Sequence, residues 1–348
     1  MRQITLTTLA DLSRLGFDEV IDARSPSEFA EDHVPGAVNL PVLNDSERAQ
    51  VGTVYTRESR FRARRMGAAL VARNAALHLE GYLADKPASY RPLVYCWRGG
   101  QRSGSFALIL GQIGWQVGVI DGGWRSYRRL VADALYDRPF PAPVFMLDGN
   151  TGTAKTAILQ EVAARGGQVL DLEGLAAHRG SLFGLVPGSA QPSQKGFESA
   201  LAMAMAGLDP TRPVLVEAES NRIGALRLPP ALWQAMRDAP RLVVEAPLEA
   251  RARWLATAYA DLVGDPAQLQ TRIAALAPYQ PRERIAQWQA MAAAGEFQAL
   301  AAGLMAHHYD PRYARSRRTE APETVFNAAS LDSTERAALA ERIVARLG

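Results

Sequence analysis

Residues 144–156, VFMLDGNTGTAKT, join an apolar run to a glycine-containing loop and then to a helical sequence. The loop follows the phosphate-binding template G-x-x-x-x-G-K-[ST], with Ala154 in place of the second glycine. Because that template needs a strand before it and a helix after it, it predicts an α/β domain that binds a phosphorylated ligand. Ala154 fits the turn if its φ is negative. The predicted phosphate-binding residues are Gly149, Asn150, Thr151, Gly152, Thr153, Ala154, Lys155 and Thr156.

The motif predicts the roles of two side chains but does not identify the reaction. Lys155 would reach a terminal phosphate oxygen, and Thr156 could ligate Mg²⁺. A later apolar run, VLVEAES, ends in Glu217 and Glu219 rather than the more usual Asp. Either glutamate could take part in metal binding or form a salt bridge at the strand end, and the sequence leaves both interpretations open.

Short apolar runs alternate with helical patterns along the chain, which predicts parallel sheets covered by helices. The sequence DRPFPAP (137–143) has three prolines in seven residues, which is typical of a linker. The predicted domains are therefore residues 1–136 and 144–348. We predict strands at 19–23, 37–40, 91–95, 117–120, 144–147, 168–172, 213–219, 241–247 and 323–328, and helices at 103–113, 155–165, most of 248–308 and 333–347.

The only cysteine among the 348 residues, Cys96, lies between a predicted strand and a predicted helix. Gly99 and Gly100 let the loop curl so that its amides point inward, and such a nest at a helix N-terminus holds an anion. Arg102 could close the ring. These features favour a thiolate nucleophile over an inert buried cysteine, so Cys96 is the predicted catalytic residue. The loop alone fits two chemistries, phosphate ester cleavage through a phosphocysteine and transfer of sulfur or selenium through a persulfide-like intermediate. The predicted anion loop continues through Trp97, Arg98, Gly99, Gly100, Gln101, Arg102 and Ser103.

Composition places the chain among globular proteins, with 48% hydrophobic and 22% charged residues. A single cysteine forms no internal disulfide, and the start MRQITLTTLADL lacks the apolar segment of a signal peptide. No run approaches the roughly 18 apolar residues that a membrane span needs. We therefore expect a cytoplasmic protein with no membrane partner.

Arginines are clustered, although the net charge is only +3. Such clusters suit a polyanion, and RNA recognition adds stacking on aromatic side chains such as Trp97. A solvated helix face is the alternative explanation for any one cluster. The candidate RNA contacts are Arg57, Arg60, Arg62, Arg64, Arg65, Tyr309, Arg312, Tyr313, Arg315, Arg317 and Arg318.

Two stretches resemble the rhodanese family, VIDARSPSEFAEDHVPGAVNLP (20–41) and GVIDGGWRSYRRL (118–130). The whole chain resembles the tRNA 2-selenouridine synthase family, in which a rhodanese domain precedes a P-loop domain. The matching motifs are YCWRGGQRSGS (95–105), GNTGTAKT (149–156), DLEGLAAHRGSLFG (171–184), VEAESNRIG (216–224) and HYDPRY (308–313). The departures are Ala154 and Ala218, and Ala218 weakens a metal role at that strand end. The implied fold is a rhodanese-like parallel-sheet domain followed by a P-loop NTPase-like α/β domain with a helical C-terminal part.

The resemblance implies a transferase that acts on tRNA bearing 2-thiouridine at the wobble position. Geranyl diphosphate would first alkylate the sulfur, and selenium from selenophosphate would then replace the geranylthio group. Cys96 would either carry the selenium covalently or only position it. The residues that the resemblance places near the diphosphate site are His178, Arg179, Glu217, Glu219 and Arg222.

The resemblance also indicates which cofactors, co-substrates and partners to expect. No tightly bound cofactor is expected, because selenophosphate and geranyl diphosphate are co-substrates, and Mg²⁺ stays open. An enzyme that supplies selenophosphate is a candidate partner. The geranyl chain needs an apolar pocket, for which the Ala/Leu/Met-rich helices such as ALAMAMAGL (200–208) are candidates, although no single residue is named.

Three other functions remain open at this level. The first is a P-loop small-molecule kinase with a rhodanese-type regulatory or sulfurtransferase domain. The second is a thiosulfate sulfurtransferase, which leaves the P-loop domain unexplained. The third is a tRNA-binding protein without activity, against which Cys96, Arg102 and Lys155 argue.

Overall fold

The computed structural model describes residues 1–179, 190–316 and 324–348, apart from the side chains of residues 261, 315 and 316. The chain forms two compact units. One consists of Met1–Pro139 with Pro192–Gly207, and the other of Phe140–Gln191 with Leu208–Gly348. The segment Pro192–Gly207 therefore clusters with the N-terminal unit, although it follows the predicted linker in the sequence.

The N-terminal unit is built on one parallel sheet. Its strands are β1 (Arg2–Ile4), β2 (Glu19–Asp22), β3 (Val38–Asn39), β4 (Pro92–Tyr95) and β5 (Gly118–Ile120). They lie in the order β1-β5-β4-β2-β3, and every neighbouring pair is parallel. The central strand β4 is buried at all four residues, as expected for a parallel sheet with helices on its faces.

Helices cover this sheet. They are α1 (Asp11–Arg14), α2 (Pro26–Glu31), α3 (Asp45–Arg57), α4 (Arg60–Glu80), α5 (Gln101–Gln112) and α6 (Gly123–Ala132), and α6 continues into a π-helical turn, Asp133–Asp137. Ile21, Val94 and Val119 come from three adjacent strands, and they pack in one buried cluster with Phe106 and Leu110 of α5. The apolar residues of this cluster are what holds the helices against the sheet.

The C-terminal unit has a second parallel sheet. Its strands are β6 (Val144–Asp148), β7 (Gln168–Leu170), β8 (Val214–Glu217), β11 (Arg241–Glu245) and β12 (Thr324–Asn327), and β9 (Arg222–Ile223) pairs with β10 (Leu226–Arg227) in a separate hairpin. The order is β12-β11-β6-β8-β7, all parallel. Because β6 lies between β11 and β8, the loops that leave these three strands meet at one edge of the sheet.

The remaining helices follow in chain order. They are α7 (Lys155–Ala164), α8 (Leu172–Leu175), α9 (Gln194–Ala206), α10 (Pro230–Asp238), α11 (Leu248–Ala258), α12 (Ala260–Val263), α13 (Pro266–Ala274), α14 (Arg282–Ala293), α15 (Phe297–Leu304), α16 (Asp310–Ser316) and α17 (Ser333–Leu347), with a π-helical turn at Met305–Tyr309. α17 packs on α7 beside the sheet. The helices from α12 to α15 share their own apolar cluster, which includes Leu269, Ile273 and Trp288.

Helix α9 belongs to the N-terminal unit through polar contacts as well as packing. Lys195 pairs with Glu31 at 2.6 Å. Glu198 is buried, pairs with Arg128 and accepts a hydrogen bond of 2.7 Å from the hydroxyl of Tyr136. A buried carboxylate held by a guanidinium and a phenol fixes the helix in place.

The predicted α/β fold class is confirmed, and the predicted strands each lie within two residues of an observed one. The predicted helix 333–347 has the observed bounds, and Asp332 caps it by accepting a hydrogen bond from the amide of Glu335. The sequence analysis did not assign β1, the β9–β10 hairpin or the helices α3 and α4. In the part of the chain that the structure describes, no helix has the length and apolar character needed to span a bilayer.

Candidate active sites

The first candidate site is the loop that follows β4. Cys96 is 3% exposed, and its sulfur accepts a hydrogen bond of 3.1 Å from the hydroxyl of Ser103, in the first turn of α5. The loop is held by the start of α6, because the amide of Trp124 donates to the Cys96 carbonyl at 2.8 Å. The amide of Arg125 donates to the Trp97 carbonyl at 3.2 Å. The thiol therefore lies on backbone that is fixed from two sides.

Two glycines permit this close contact. Gly99 has φ +64° and Gly123 has φ +58°, in the left-handed region that glycine adopts without strain. A Cβ atom on Gly123 would lie 2.2 Å from the Cys96 carbonyl oxygen and 2.4 Å from the Gly99 amide nitrogen. The cysteine loop can therefore lie against α6 only if residue 123 has no side chain.

We predict that Gly123→Ala lowers the free energy of unfolding of the N-terminal unit by more than about 2 kcal/mol, because left-handed strain and the overlap with the Cys96 carbonyl add together. Denaturant titration followed by near-ultraviolet circular dichroism would measure the change. The matched control is Gly111→Ala in α5, where a Cβ meets nothing within 4 Å. The free energy of unfolding of this control should rise by about 0.5–1 kcal/mol. Equal free energies of unfolding for the two variants would contradict the claim that residue 123 must lack a side chain.

Arg102 does not point at an anion site in this structure. It pairs with Glu28 at 2.7 Å, and Arg48 pairs with the same carboxylate at 2.9 Å. Burial alone would raise the pKa of Glu28, but the two guanidiniums outweigh it and hold the pKa below its usual value. Trp97 stacks on Trp124 with ring centroids 4.6 Å apart, so its ring is part of the packing beside the thiol.

A basic pocket of about 430 Å³ adjoins this loop. Arg98 of the predicted anion loop lines it together with Arg125 and Arg129, and all three side chains are exposed. Asp121 is the acidic residue in the wall. The sequence analysis missed Arg125 and Arg129, although their spacing of four residues on a helix places both on one face. The structure thus adds two cations beside the cysteine loop.

The second candidate site is the loop between β6 and α7. Asp148 closes β6, where it accepts a hydrogen bond of 2.7 Å from the Gly149 amide and pairs with the buried Arg241 at 3.1 Å. The ammonium of Lys155 donates to the Gly149 carbonyl at 3.0 Å and lies 5.8 Å from the ring centroid of Tyr313. Each predicted residue from Thr151 to Thr156 lines one cavity of about 470 Å³.

The expected negative φ at Ala154 is wrong. Ala154 has φ +60° and ψ +28°, so an alanine occupies the left-handed position at the start of α7. The template has glycine here because a Cβ in this conformation is strained by its own carbonyl group. This chain tolerates the strain in order to keep the loop.

We predict that Ala154→Gly raises the free energy of unfolding of the C-terminal unit by about 1 kcal/mol, because glycine relieves the left-handed strain. The control is Ala163→Gly, at an exposed position with ordinary helical geometry near the end of α7. Its free energy of unfolding should fall by about 0.5–1 kcal/mol. Chemical denaturation of both variants would measure these changes. Destabilisation of similar size in both would show that Ala154 is unstrained.

A group of carboxylates lies beside the phosphate loop. Glu173 of α8 accepts a hydrogen bond of 2.8 Å from the hydroxyl of Thr156, and its amide donates to Glu217 at 2.5 Å. Burial, and then repulsion by Glu173, raise the pKa of Glu217 to about 9 and that of Glu219 to about 8. Burial and the neighbouring negative charge therefore favour the protonated form of both glutamates. Glu173 was missed from sequence, although it lies just beyond the end of β7 at the edge where the loops meet.

Lys155 remains charged within this group. Burial alone would lower the pKa of Lys155, but Tyr313, Glu219 and Glu173 outweigh burial and raise it. The cavity wall therefore holds two cations, Lys155 and Arg179, together with the acidic residues Asp171, Glu173 and Glu219.

The other predicted residues divide between the cavity wall and the surface. His178, Arg179 and Glu219 line the cavity, and so do Tyr309 and Tyr313. Burial lowers the pKa of His178 below its usual value; the charge of Glu173 opposes this shift and that of Arg272 adds to it, so the neutral imidazole predominates at pH 7. Two others do not line it. Glu217 lies buried at the end of β8, and Arg222 is exposed on β9.

Comparison with known proteins decides the family. A rhodanese-like domain model matches residues 5–130, and the model of the tRNA 2-selenouridine synthase AAA domain matches residues 142–280. The tRNA 2-selenouridine synthase of Aeromonas salmonicida (strain A449) is 38% identical over 264 residues, which cover 74% of this chain and 69% of that protein. This chain belongs to the tRNA 2-selenouridine synthase family.

Two other synthases of this family are similar over a comparable span. That of Alcanivorax borkumensis is 36% identical over 67% of this chain and 64% of its own length. That of Psychromonas ingrahamii is 35% identical over 70% of this chain and 66% of its own length. The chain thus spans about two thirds of the length of the curated relatives it matches. The predicted pairing of a rhodanese-like domain with a following P-loop-type domain is confirmed.

The first arginine cluster of this family member lies on the surface of the N-terminal unit. Arg57 ends α3, and Arg60, Arg62, Arg64 and Arg65 are exposed on α4. Two aromatic side chains that the sequence analysis missed lie among them, with Tyr55 43% exposed and Phe61 73% exposed. Arg60 lies 5.6 Å from the ring centroid of Tyr55. Guanidinium groups interleaved with exposed rings are typical of surfaces that bind single-stranded nucleic acid.

The second arginine cluster is only partly described. Arg312 donates toward His308 at 3.1 Å and lies 4.7 Å from the ring centroid of Tyr279. Arg315 belongs to α16, but its side chain lies outside the described residues, and so do Arg317, Arg318 and residues 180–184 of the motif DLEGLAAHRGSLFG. The RNA role of this cluster stays a prediction.

A partly buried ion pair ties the phosphate loop to the helical part of its unit. Arg251 of α11 pairs with Asp310 at 2.8 Å and donates to the Thr151 carbonyl at 3.1 Å. Asp310 belongs to the motif HYDPRY, whose tyrosines line the phosphate cavity. A charge-assisted pair that also holds a loop carbonyl fixes the loop and the motif relative to each other.

Proposed function

We propose that this protein is a transferase that converts 2-thiouridine at the wobble position of tRNA to 2-selenouridine in two steps. The observation that carries the proposal is that the chain has two different glycine-containing loops, each after a central parallel strand and before a helix. One contains a thiol and the other a lysine. We take tRNA as the substrate from the names of the relatives. We place the reaction in the cytoplasm.

The first step would be S-geranylation in the cavity beside the phosphate loop. The sulfur of the base attacks C1 of geranyl diphosphate, the C1–O bond breaks, and diphosphate leaves with the electron pair. The base then loses its N3 proton. Lys155 faces the cavity where the departing charge would develop, which is where a fixed cation accelerates such a reaction. The neutral His178 is the nearby candidate for accepting the N3 proton.

Mg²⁺ on the diphosphate is part of this proposal. Within the described residues, no group of three or more His, Cys, Asp and Glu side chains could hold a metal ion by itself. A magnesium ion usually keeps several waters and binds through one or two carboxylates together with substrate phosphates, so a complete protein cage is unnecessary. The hydroxyl of Thr156 and the carboxyl of Glu219, both in the cavity wall, are the oxygen donors that fit it, and Glu219 would release its proton on binding the ion. When bound, it would neutralise charge on the diphosphate.

The second step would take place at the cysteine loop. Selenium of selenophosphate attacks C2 of the base, and the geranylthio group leaves with its electron pair as geranylthiolate. Water then cleaves the Se–P bond, which releases phosphate and leaves 2-selenouridine. Arg98, Arg125 and Arg129 border the pocket beside the loop and supply positive charge for the phosphate group.

Cys96 is proposed to position the selenium rather than to carry it. If the Cys96 thiolate took selenium from selenophosphate, an S–Se bond would form and phosphorus would leave with the bonding pair as phosphite. Direct attack by selenium leaves phosphorus at the oxidation level of phosphate and needs no electron acceptor. The phosphorus product therefore distinguishes the two routes. The enzyme that makes selenophosphate remains the candidate protein partner.

The substrate anticodon would contact the exposed cluster on α3 and α4. Its arginines supply phosphate contacts and its two exposed rings supply stacking. Binding through several phosphates weakens steeply with salt. The tyrosines in the cavity wall of the C-terminal unit are candidates for stacking on the thiolated base during the first step.

Nucleoside mass spectrometry tests the proposal. The purified protein is incubated with an anticodon stem-loop that contains 2-thiouridine, first with geranyl diphosphate and Mg²⁺ and then with selenophosphate. We expect geranylthio-uridine and then 2-selenouridine. Lys155→Ala should lower geranylation at least 100-fold, because the cation at the departing diphosphate is lost. Lys86→Ala, which replaces a lysine of the N-terminal unit, should react like the unchanged protein.

Absence of both products in the unchanged protein would overturn the proposal. In that case an ATP-dependent phosphoryl transfer to a small molecule, without RNA, would support the kinase alternative. Phosphorus-31 NMR of the same reactions identifies phosphate or phosphite.

A further inference from the structure

Helix α9 places a polar side chain inside the N-terminal unit. Ser199 of this helix is fully buried, and Asp32 and Tyr127 are each 1% exposed or less. Burial raises the pKa of Asp32 and that of Tyr127, and in both cases the hydroxyl of Ser199 is the largest effect that opposes the rise. Ser199 therefore faces both side chains. We call these three residues the buried polar cluster.

The buried polar cluster does not stabilise the fold by hydrogen bonds between its members. Its oxygens face one another without hydrogen-bond geometry. Oδ1 of Asp32 and the hydroxyl oxygens of Tyr127 and Ser199 have no hydrogen-bond partner among the described residues. Because buried polar atoms without a partner destabilise a protein, apolar side chains of similar size would be more stable here. The cluster therefore indicates a role other than stability.

The buried polar cluster is connected to the cysteine loop through Trp124 of α6. The indole N–H of Trp124 donates a hydrogen bond of 3.0 Å to Oδ2 of Asp32. The amide of Trp124 donates to the Cys96 carbonyl at 2.8 Å, and its ring stacks on Trp97 with centroids 4.6 Å apart. Trp124 thus contacts the loop through both its backbone and its ring, and Asp32 fixes the orientation of that ring.

Asp32 is held in turn by a buried arginine. Arg24 donates to the backbone carbonyl of Asp32 at 2.5 Å and pairs with the buried Asp22 at 2.6 Å. Its guanidinium also lies 5.2 Å from the centroid of the Trp124 ring. Charge-assisted hydrogen bonds are strong and directional, so the carboxyl group and the indole are held in one geometry.

Helix α9 is attached directly beside this carboxyl group. The hydroxyl of Ser193 donates to the carbonyl of Glu31, the residue before Asp32, and Lys195 pairs with the Glu31 side chain at 2.6 Å. These contacts bring Ser199 against Asp32, although the sequence of α9 lies between strands β7 and β8 of the C-terminal sheet.

We propose that Asp32 is a positioning residue of the cysteine loop, which holds the indole of Trp124 and thereby the backbone of Cys96, and that Ser199 of α9 holds Asp32. The cysteine loop is then complete only with a helix that follows the linker in the sequence. The effect on the thiol is measurable without RNA, whereas the effect on selenation rests on the proposed function.

Alkylation by iodoacetamide tests the proposal, because Cys96 is the only cysteine in the sequence and labelling reports on this loop alone. Mass spectrometry of the full chain follows the rate. Asp32→Leu keeps a similar volume but removes the acceptor of the indole, and Asp32→Asn keeps an acceptor oxygen. Ser199→Ala removes the hydroxyl on α9. Its matched control is Ser13→Ala, at an exposed position of α1.

We expect Asp32→Leu to raise the alkylation rate at least tenfold, because a buried indole N–H without an acceptor displaces the ring that packs on the loop. Asp32→Asn should stay within about threefold of the unchanged protein, because the acceptor is kept. Ser199→Ala should lie between these two, and Ser13→Ala should have no effect. Selenation of a stem-loop that already contains geranylthio-uridine should fall in the same order, while geranylation stays within about twofold.

Val71→Ala measures what loss of stability alone does to the thiol. Val71 belongs to the apolar cluster of the same unit, which contains neither Asp32 nor Trp124. Thermal melts of all variants are recorded, and alkylation is measured where each is folded. If Val71→Ala raises the alkylation rate as much as Asp32→Leu at an equal loss of melting temperature, the positioning role is wrong.

The other outcomes are equally decisive. The positioning role is wrong if Asp32→Leu is alkylated at the unchanged rate, or if Asp32→Asn reacts like Asp32→Leu. If Asp32→Leu does not fold, Ser199→Ala decides, because it removes one hydroxyl only, and an unchanged rate would overturn the role of α9. If alkylation changes as expected but the unchanged protein makes no 2-selenouridine, the positioning role stands and the proposed function fails.

Discussion

Both candidate sites depend on one constraint. The strands β4 and β6 each pair in parallel with a neighbouring strand on either side. Each strand is flanked by two others and covered by helices, so its backbone groups are paired and its direction is fixed. The loop that leaves such a strand opens at the carboxyl edge of the sheet, where amides and a helix N-terminus favour anions. The cysteine loop and the phosphate loop are two uses of this one arrangement.

The side chains around each loop then determine its chemistry. At the cysteine loop, a glycine at position 123 lets α6 lie against the loop backbone, and exposed arginines border the neighbouring pocket. At the phosphate loop, Lys155 lies beside Glu219, whose pKa is raised, and His178, whose pKa is lowered. These different surroundings are why we propose a different step of the reaction for each loop.

Local patterns made much of this predictable. The β6 strand and the loop to Thr156 were predicted because apolar runs, glycines and a helical pattern follow one another within thirteen residues. The cap at Asp332 and the bounds of α17 depend on neighbouring residues alone. The strands β4 and β11 are recognisable because burial on both faces demands a continuous apolar run.

The features that could not be predicted from the sequence depend on distant contacts or on backbone geometry. Arg102 pairs with Glu28, which is 74 residues away, and no local pattern indicates that choice. Helix α9 clusters with the N-terminal unit, although its sequence lies between strands of the other. The positive φ of Ala154 is set by the loop around it and not by alanine itself. Likewise, the position of Glu173 and the apolar cavity among α11, α12, α13 and α15 emerge only when the fold brings separate helices together.

The most direct test of the account gives the protein the proposed intermediate. A stem-loop that already contains geranylthio-uridine is mixed with selenophosphate and with Cys96→Ser or Lys155→Ala, and the rate of 2-selenouridine formation is measured. The account predicts that Lys155→Ala reacts within about twofold of the unchanged protein, because the first step is already complete, and that Cys96→Ser loses most of the rate. Loss of selenation in Lys155→Ala, or full activity in Cys96→Ser, would contradict the division of the two steps between the two loops.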